Sequence, residues 1–233
     1  MPFARFAAAV AALLFACSAY AAEPVRRIAI YVQPFYASAQ SETDKPTVAV
    51  GQQYNDLLAS LRREDILAAR DRILANPKLV TPMVMMVLAI RLYDVGLRDE
   101  AVFWFYVAKE RYIVMSDVLD TKTQLLAQSE DAMRSFSTLA GPVINGYAFC
   151  DLAKQQDAHA KAVAWVEANP YDVMFMDRAP ALPGDRNANH QRGIANAKER
   201  FAKERAYFED AKNRDAFLAG RKTNEMDAKF CWK

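Results

Sequence analysis

Leu88-Ala89-Ile90-Arg91-Leu92-Tyr93-Asp94-Val95-Gly96-Leu97-Arg98-Asp99-Glu100-Ala101-Val102-Phe103-Trp104-Phe105-Tyr106-Val107-Ala108 carries the reading of the fold. Apolar residues recur at helical spacing on both sides of Gly96. A glycine just past the last periodic residue stops a helix, because it enters the left-handed conformation without a Cβ clash. Upstream, Thr81-Pro82 reads as an N-cap followed by proline at the first helical position, where its missing N–H costs nothing. Asp99 is placed to cap the following helix, whose buried side carries Ala101, Trp104, Phe105, Ala108 and Tyr112. Two helices joined by so few residues fold back as an antiparallel hairpin.

The same punctuation extends in both directions. Leu57, Leu58 and Leu61 share a helical face, and Asp65 is read as capping a helix over Ile66 to Ala75 that stops at Asn76-Pro77. Further helices are expected from Thr121 to Leu139, ended by Gly141-Pro142, and from Asp157 to Glu167, ended by Asn169-Pro170. Another runs from Asn189 to Asp210, charged nearly all round, with a narrow stripe of Ile194, Ala197, Phe201 and Phe208. Met83, Met85 and Met86 read as core of a buried helix, the competing role being an adaptable groove lining. The apolar Phe230-Cys231-Trp232 is expected to dock back on the body. Extended structure is confined to the front, where Arg27 to Val32 alternates before Pro34 and Thr47 to Val50 is β-branched. The expected class is mostly α, built of antiparallel helical hairpins, with a short extended segment near the mature N-terminus.

The stretch from Leu88 to Ala108 resembles a tetratricopeptide or Sel1-like repeat: Gly96, Ala101 and Ala108 stand at the small positions, Tyr93, Trp104 and Tyr106 at the large ones. Ala68 to Pro77 and Ala160 to Pro170 echo the second helix of such a repeat, each alanine-rich and ending in Asn-Pro. The spacing between the three departs from a regular period. What the resemblance implies is a set of repeat-like hairpins that binds a protein partner on a concave or grooved surface.

The first 22 residues read as a cleavable secretory signal: Arg5, then an uncharged apolar run from Phe6 to Ala19 too short to span a bilayer, then Ala19-Tyr20-Ala21, with cleavage after Ala21 or Ala22. A competing reading uses Leu14-Phe15-Ala16-Cys17 as a lipoprotein signal, with a lipid anchor on Cys17. Three regions follow: a signal at 1–22, an extended segment at 23–51 and a helical domain at 52–233, in the bacterial periplasm. The net charge is +2 and the leader carries only Arg5, so the remainder, near +1, has no electrostatic footprint for nucleic acid. The nearest later apolar stretch, Leu79 to Tyr93, contains Arg91, so no integral membrane segment is expected after processing. Of three cysteines, the leader removes one; Cys150 and Cys231 form an even pair, expected as a disulfide in an oxidising compartment.

No catalytic or metal motif stands out. The two histidines, His159 and His190, stand in no ligand spacing, and there is no nucleophile elbow, phosphate loop or dinucleotide fingerprint among seven glycines. No cofactor and no metal are expected. The long segment from Tyr171 to Arg186 contains apolar residues without a period, so Tyr171, Phe175, Met176 and Arg178 are candidates for a partner-binding hot spot, the alternative being a lid over the core. The expected function is an exported, non-catalytic module that binds a protein, as an envelope adaptor or an immunity protein against an exported toxin. The alternative is a cell-envelope hydrolase using scattered carboxylates or His190.

Overall fold

The computed structural model describes residues 22–28 and 52–232. Residues 1–21 of the expected leader, Cys17 among them, and the extended pieces Ala29 to Val32 and Thr47 to Val50 lie outside the described residues, and Arg27 and Ile28 form no strand. Among the described residues the chain is mostly α: α1 (Gln52–Ala59), α2 (Arg63–Ala75), α3 (Pro82–Asp94), α4 (Arg98–Ser116), α5 (Ala127–Ala148), α6 (Leu152–Ala168), α7 (Arg186–Glu209), α8 (Ala211–Thr223) and α9 (Met226–Phe230). The one β pairing among them is a single antiparallel bridge between Leu119 and Ala181.

The hairpin of α3 and α4 is built as its punctuation predicts. The Thr81 hydroxyl accepts from the Val84 amide at 3.2 Å and so starts α3. At its end Gly96 sits at φ 84°, the Leu97 amide donates to the Leu92 carbonyl at 2.8 Å, and the Gly96 amide to Tyr93 at 3.0 Å. These are the paired bonds of a Schellman turn, which satisfies carbonyls the helix leaves orphaned. Every residue of α3 from Pro82 to Tyr93 is buried, including Met83, Met85 and Met86, so the methionines belong to the core.

α4 packs against α3, α5, α6 and α7. Its sequence puts apolar residues on nearly every face, and a helix with no polar face is stable only when wrapped. Trp104, Phe105, Tyr106, Val107 and Ala108 are all buried, and Trp104 meets Trp165 of α6 edge-on at 5.5 Å. Arg111, 1% exposed, donates to the carbonyls of Pro77 at 2.7 Å, Val80 at 2.8 Å and Asn169 at 2.6 Å. Burial pulls its guanidinium down to about 10, but it stays charged at neutral pH. Both Asn-Pro helix stops are thereby tied to one side chain.

Several boundaries differ from the sequence reading, each for a local reason. α5 runs straight through Gly141-Pro142. The residue before proline is forced from helix partly by its Cβ, which glycine lacks, and the carbonyl that Pro142 cannot serve belongs to the exposed Thr138, where water reaches it. α5 starts at Ala127, later than Thr121, because Asp120 to Leu126 is held in turns. Asp65 and Asp99 lie in the first turns of α2 and α4 instead of capping them: Asp65 accepts from Arg62 at 2.7 Å, and Asp99 from the Tyr147 hydroxyl at 2.7 Å. α6 and α7 begin earlier than expected because Asp151 and Asp185 cap them through the amides of Lys154 and Ala188. Asp210 caps a separate helix, α8.

The tail docks as its apolar character predicts. Cys150 and Cys231 form a disulfide, with Cα atoms 5.4 Å apart. Phe230 lies on Gly146, where a Cβ would stand 2.7 Å from the ring, so only glycine permits the contact. Trp232 stacks on Arg98, whose guanidinium carbon is 3.6 Å from the ring centre, with Arg26 at 4.6 Å. The Val25 amide donates to the Lys229 carbonyl at 2.8 Å, and the Tyr93 hydroxyl to the Val25 carbonyl at 2.8 Å, so the first and last described segments meet.

Candidate functional site

The segment from Tyr171 to Arg186 is ordered by its own bonds. Arg186 donates to the carbonyls of Met174 at 2.8 Å and Ala179 at 2.6 Å, and the Leu119 bridge clasps the segment to the end of α4. A short 3-10 turn spans Asp172–Phe175, with Val173 and Met174 buried. Tyr171 is 4% exposed and lies 5.6 Å from the Arg111 guanidinium; Phe175 is half-buried, edge-on to His190 at 5.5 Å. Met176 and Arg178 are exposed. The four candidates therefore do not share one surface: two face inward and two outward.

The titratable groups gather elsewhere, inside the bundle. His159, 3% exposed, has Nε2 at 3.2 Å from Glu110 Oε1 and Nδ1 at 3.1 Å from Glu204 Oε1. Ionised carboxylates only accept, so this arrangement favours the doubly protonated ring. Burial alone would pull the histidine down; the bonds to Glu110 and Glu204 outweigh it and hold it above its ordinary range. Burial likewise pushes both glutamates up, and His159, with Arg200 on Glu110 and Gln155 on Glu204, brings them below theirs. Arg200 reaches Glu110 Oε2 at 2.9 Å, so two anions meet two cations. The Tyr106 ring stacks on His159 at 4.4 Å between centroids, and burial raises its phenol. His190, by contrast, is lowered by burial.

One member of this network reaches outward. Gln155, 1% exposed, donates to the Tyr106 hydroxyl at 2.9 Å and Glu204 at 2.8 Å, and it lines a cleft of about 880 Å³. The cleft runs between α2, α4 and α6 and is closed at one end by the C-terminal tail. Val102, Phe103, Trp104 and Ala158 give it an apolar floor; its rim carries Arg70, Lys154 and Lys161 with Asp71, Glu100 and Asp157. Arg70 bridges Glu100 at 2.9 Å and Asp71 at 2.8 Å. Arg98, Tyr147, Cys150, Cys231 and Trp232 form the closed end. Among the described residues six side-chain atoms are buried without a hydrogen-bond partner, and three of them, Arg98 Nε, Gln155 Oε1 and Trp232 Nε1, belong to residues of this cleft. Each such atom costs roughly 1–3 kcal/mol, so their concentration here marks a place where the fold does not optimise itself.

This cleft was not picked out from the sequence. The available signal was Phe103: on a helix already supplied with a buried face by Trp104 and Phe105, an adjacent large aromatic has to face something else. Among the described residues no group of three or more His, Cys, Asp or Glu is placed to hold a metal ion, and no helix is long and apolar enough to cross a membrane.

No protein-family model and no solved structure matches the chain. An uncharacterized protein of Haemophilus influenzae is 34% identical over 226 residues, which cover 95% of this chain and 85% of that protein. Identity at this level over nearly the whole of both chains means that the chain belongs to the family of that Haemophilus influenzae protein.

Proposed function

We propose that the protein is an exported, non-catalytic helical module, processed at Ala22 or Glu23, that holds a segment of a partner protein in the cleft between α2, α4 and α6. The observation that carries this reading is the cleft's composition: an aromatic floor at Phe103 and Trp104 inside a rim of both charge signs. Protein interfaces have this anatomy, an apolar centre enriched in aromatic residues and a polar border. The volume, about 880 Å³, lies within the usual range of ligand sites, so the cleft accommodates a few side chains of a larger partner. The tetratricopeptide-like or Sel1-like hairpin of α3 and α4 supports the same use, since repeat-like hairpins present grooves to partners. The disulfide supports an oxidising compartment. An envelope adaptor and an immunity protein both fit such a surface.

Affinity capture from an envelope extract of the producing cells, with Phe103→Ala and Lys154→Glu/Lys161→Glu beside the wild type, tests the reading. A partner held by the wild type and weakened by about 1–3 kcal/mol in Phe103→Ala, with melting unchanged, supports it. Equal capture by all three places the contact elsewhere. Hydrolysis of an envelope substrate that survives purification of the wild type but not of His190→Ala would replace it with an enzyme. The N-terminal mass of exported protein reports processing, and a lipidated Cys17 would make the protein membrane-tethered.

A further inference from the structure

We propose that the Cys150–Cys231 disulfide is an exchange site for a dithiol reductant, and that opening it frees the C-terminal strap from the end of the cleft. Cys150 is exposed on the cleft wall and Cys231 is half-buried. Behind them lies Arg221, 5% exposed, with Nη2 at 3.3 Å from Cys231 Sγ and 3.6 Å from Cys150 Sγ. The guanidinium is aimed there by the Gly146 carbonyl at 3.1 Å and by Asp227 at 2.8 Å. A cation beside a sulfur stabilises the thiolate, and a better leaving thiolate speeds exchange. Asp227 Oδ1 opposes this from 3.3 Å, but its side chain is 68% exposed and its charge is screened by water, whereas that of Arg221 is not.

The step balances as follows. A thiolate of the dithiol attacks Sγ of Cys150, the more exposed of the two residues, and forms a mixed disulfide; the electron pair of the broken bond leaves on Cys231 Sγ, beside Arg221. The second thiol of the reductant, deprotonated, attacks its own sulfur in the mixed disulfide and expels the Cys150 thiolate. The dithiol ends as a disulfide, two electrons pass to the protein, and the sulfurs take up the two protons the dithiol released. What remains on the strap is non-covalent: Phe230 on Gly146, Trp232 between Arg98 and Arg26, the ion pair of Asp227 with Arg221, and one bond from Val25 to Lys229. The exchange chemistry stands on these contacts alone, and its use as a regulator of capture rests on the cleft reading above.

The test is the rate of reduction of the oxidised full chain by dithiothreitol, read by alkylation and mass, in the wild type, Arg221→Gln and Asp227→Asn. Removal of the cation should slow reduction on the order of tenfold, and neutralisation of its competitor should speed it. A strap loosened by either substitution would instead be reduced faster in both variants. That outcome overturns the proposal, as does an unchanged Arg221→Gln or a slowing in both. Amide hydrogen exchange at residues 226–232 should rise on reduction, and an unchanged pattern overturns strap release. If the wild type captures a partner equally when oxidised and reduced, regulation is excluded. If it captures none in either state, the cleft reading fails while the exchange rates still decide the chemistry.

Discussion

Glu110 of α4 and His159 of α6 meet at 3.2 Å where both are almost sealed from solvent, and Glu204 of α7 closes the other side of the ring at 3.1 Å. Three helices are thus joined through one proton-bearing side chain.

The sign of its pH dependence follows. His159 is raised above its ordinary 6.5, so its contribution is fully present below that value and is lost as pH rises through the higher folded value. Glu110 and Glu204 lie below their ordinary 4.5, so theirs is present above that value and lost as pH falls through the lower folded ones. His190 acts oppositely to His159: lowered from 6.5, it destabilises the fold as pH falls from that value through its folded one. The melting temperature of His159→Gln should therefore lack the alkaline decline expected of the wild type, and His190→Gln should gain stability on the acid side. An alkaline decline that persists in His159→Gln would show that other groups set it.

Arg111→Met should cost about 3 kcal/mol or more, because the carbonyls of Pro77, Val80 and Asn169 lose their donor together. Denaturant unfolding measures the loss. A cost below 1 kcal/mol would mean that water replaces the guanidinium.

Tyr171→Ala should lower stability by about 3 kcal/mol, since the ring is buried against Arg111, while Arg178→Ala should leave it within about 0.5 kcal/mol. Paired melting curves decide this. If Arg178→Ala, although well folded, weakens partner capture, the outward half of the segment contributes to binding.

Gly146→Ala should destabilise by about 1–3 kcal/mol through the collision with Phe230, and Gly146→Ala/Phe230→Ala should cost less than the two single changes summed. Additive costs would show that the ring moves aside freely.

Reduction of the disulfide, whose cysteines lie 81 residues apart, should lower stability by up to about 4 kcal/mol on the chain-entropy account. Calorimetry with and without reductant measures it.

Local chemistry explains what was legible. Thr81-Pro82 and Gly96 act on their own backbones, so the α3–α4 hairpin could be read from a few residues. The cysteine pair followed from the even count that the expected removal of residues 1–22 leaves. Gly141-Pro142 misled because its effect depends on which carbonyl is orphaned, and the exposure of Thr138 is a tertiary fact. The segment after Tyr171 was recognisable as unusual, but which way each side chain points depends on the 3-10 turn and on Arg186, twelve residues from Met174. The cleft and the His159 network were beyond reach because their members come from helices far apart in sequence: 49 residues separate Glu110 from His159. The two Asn-Pro stops were visible singly, and only Arg111 shows that they belong together.

The meeting of Val25 with Lys229 and the covalent bond from Cys150 to Cys231 have a mechanical corollary. Tension applied between the two ends first peels the Val25–Lys229 bond and the Arg26–Trp232 contact and then passes from Cys231 through Cys150 to the end of α5. Helices α6 to α9 hang in a closed loop that carries no load, so only the chain ahead of Cys150 can be drawn out. Under force the protein should lengthen by that portion alone until the sulfur bridge is reduced, when the hidden length is released in a second step.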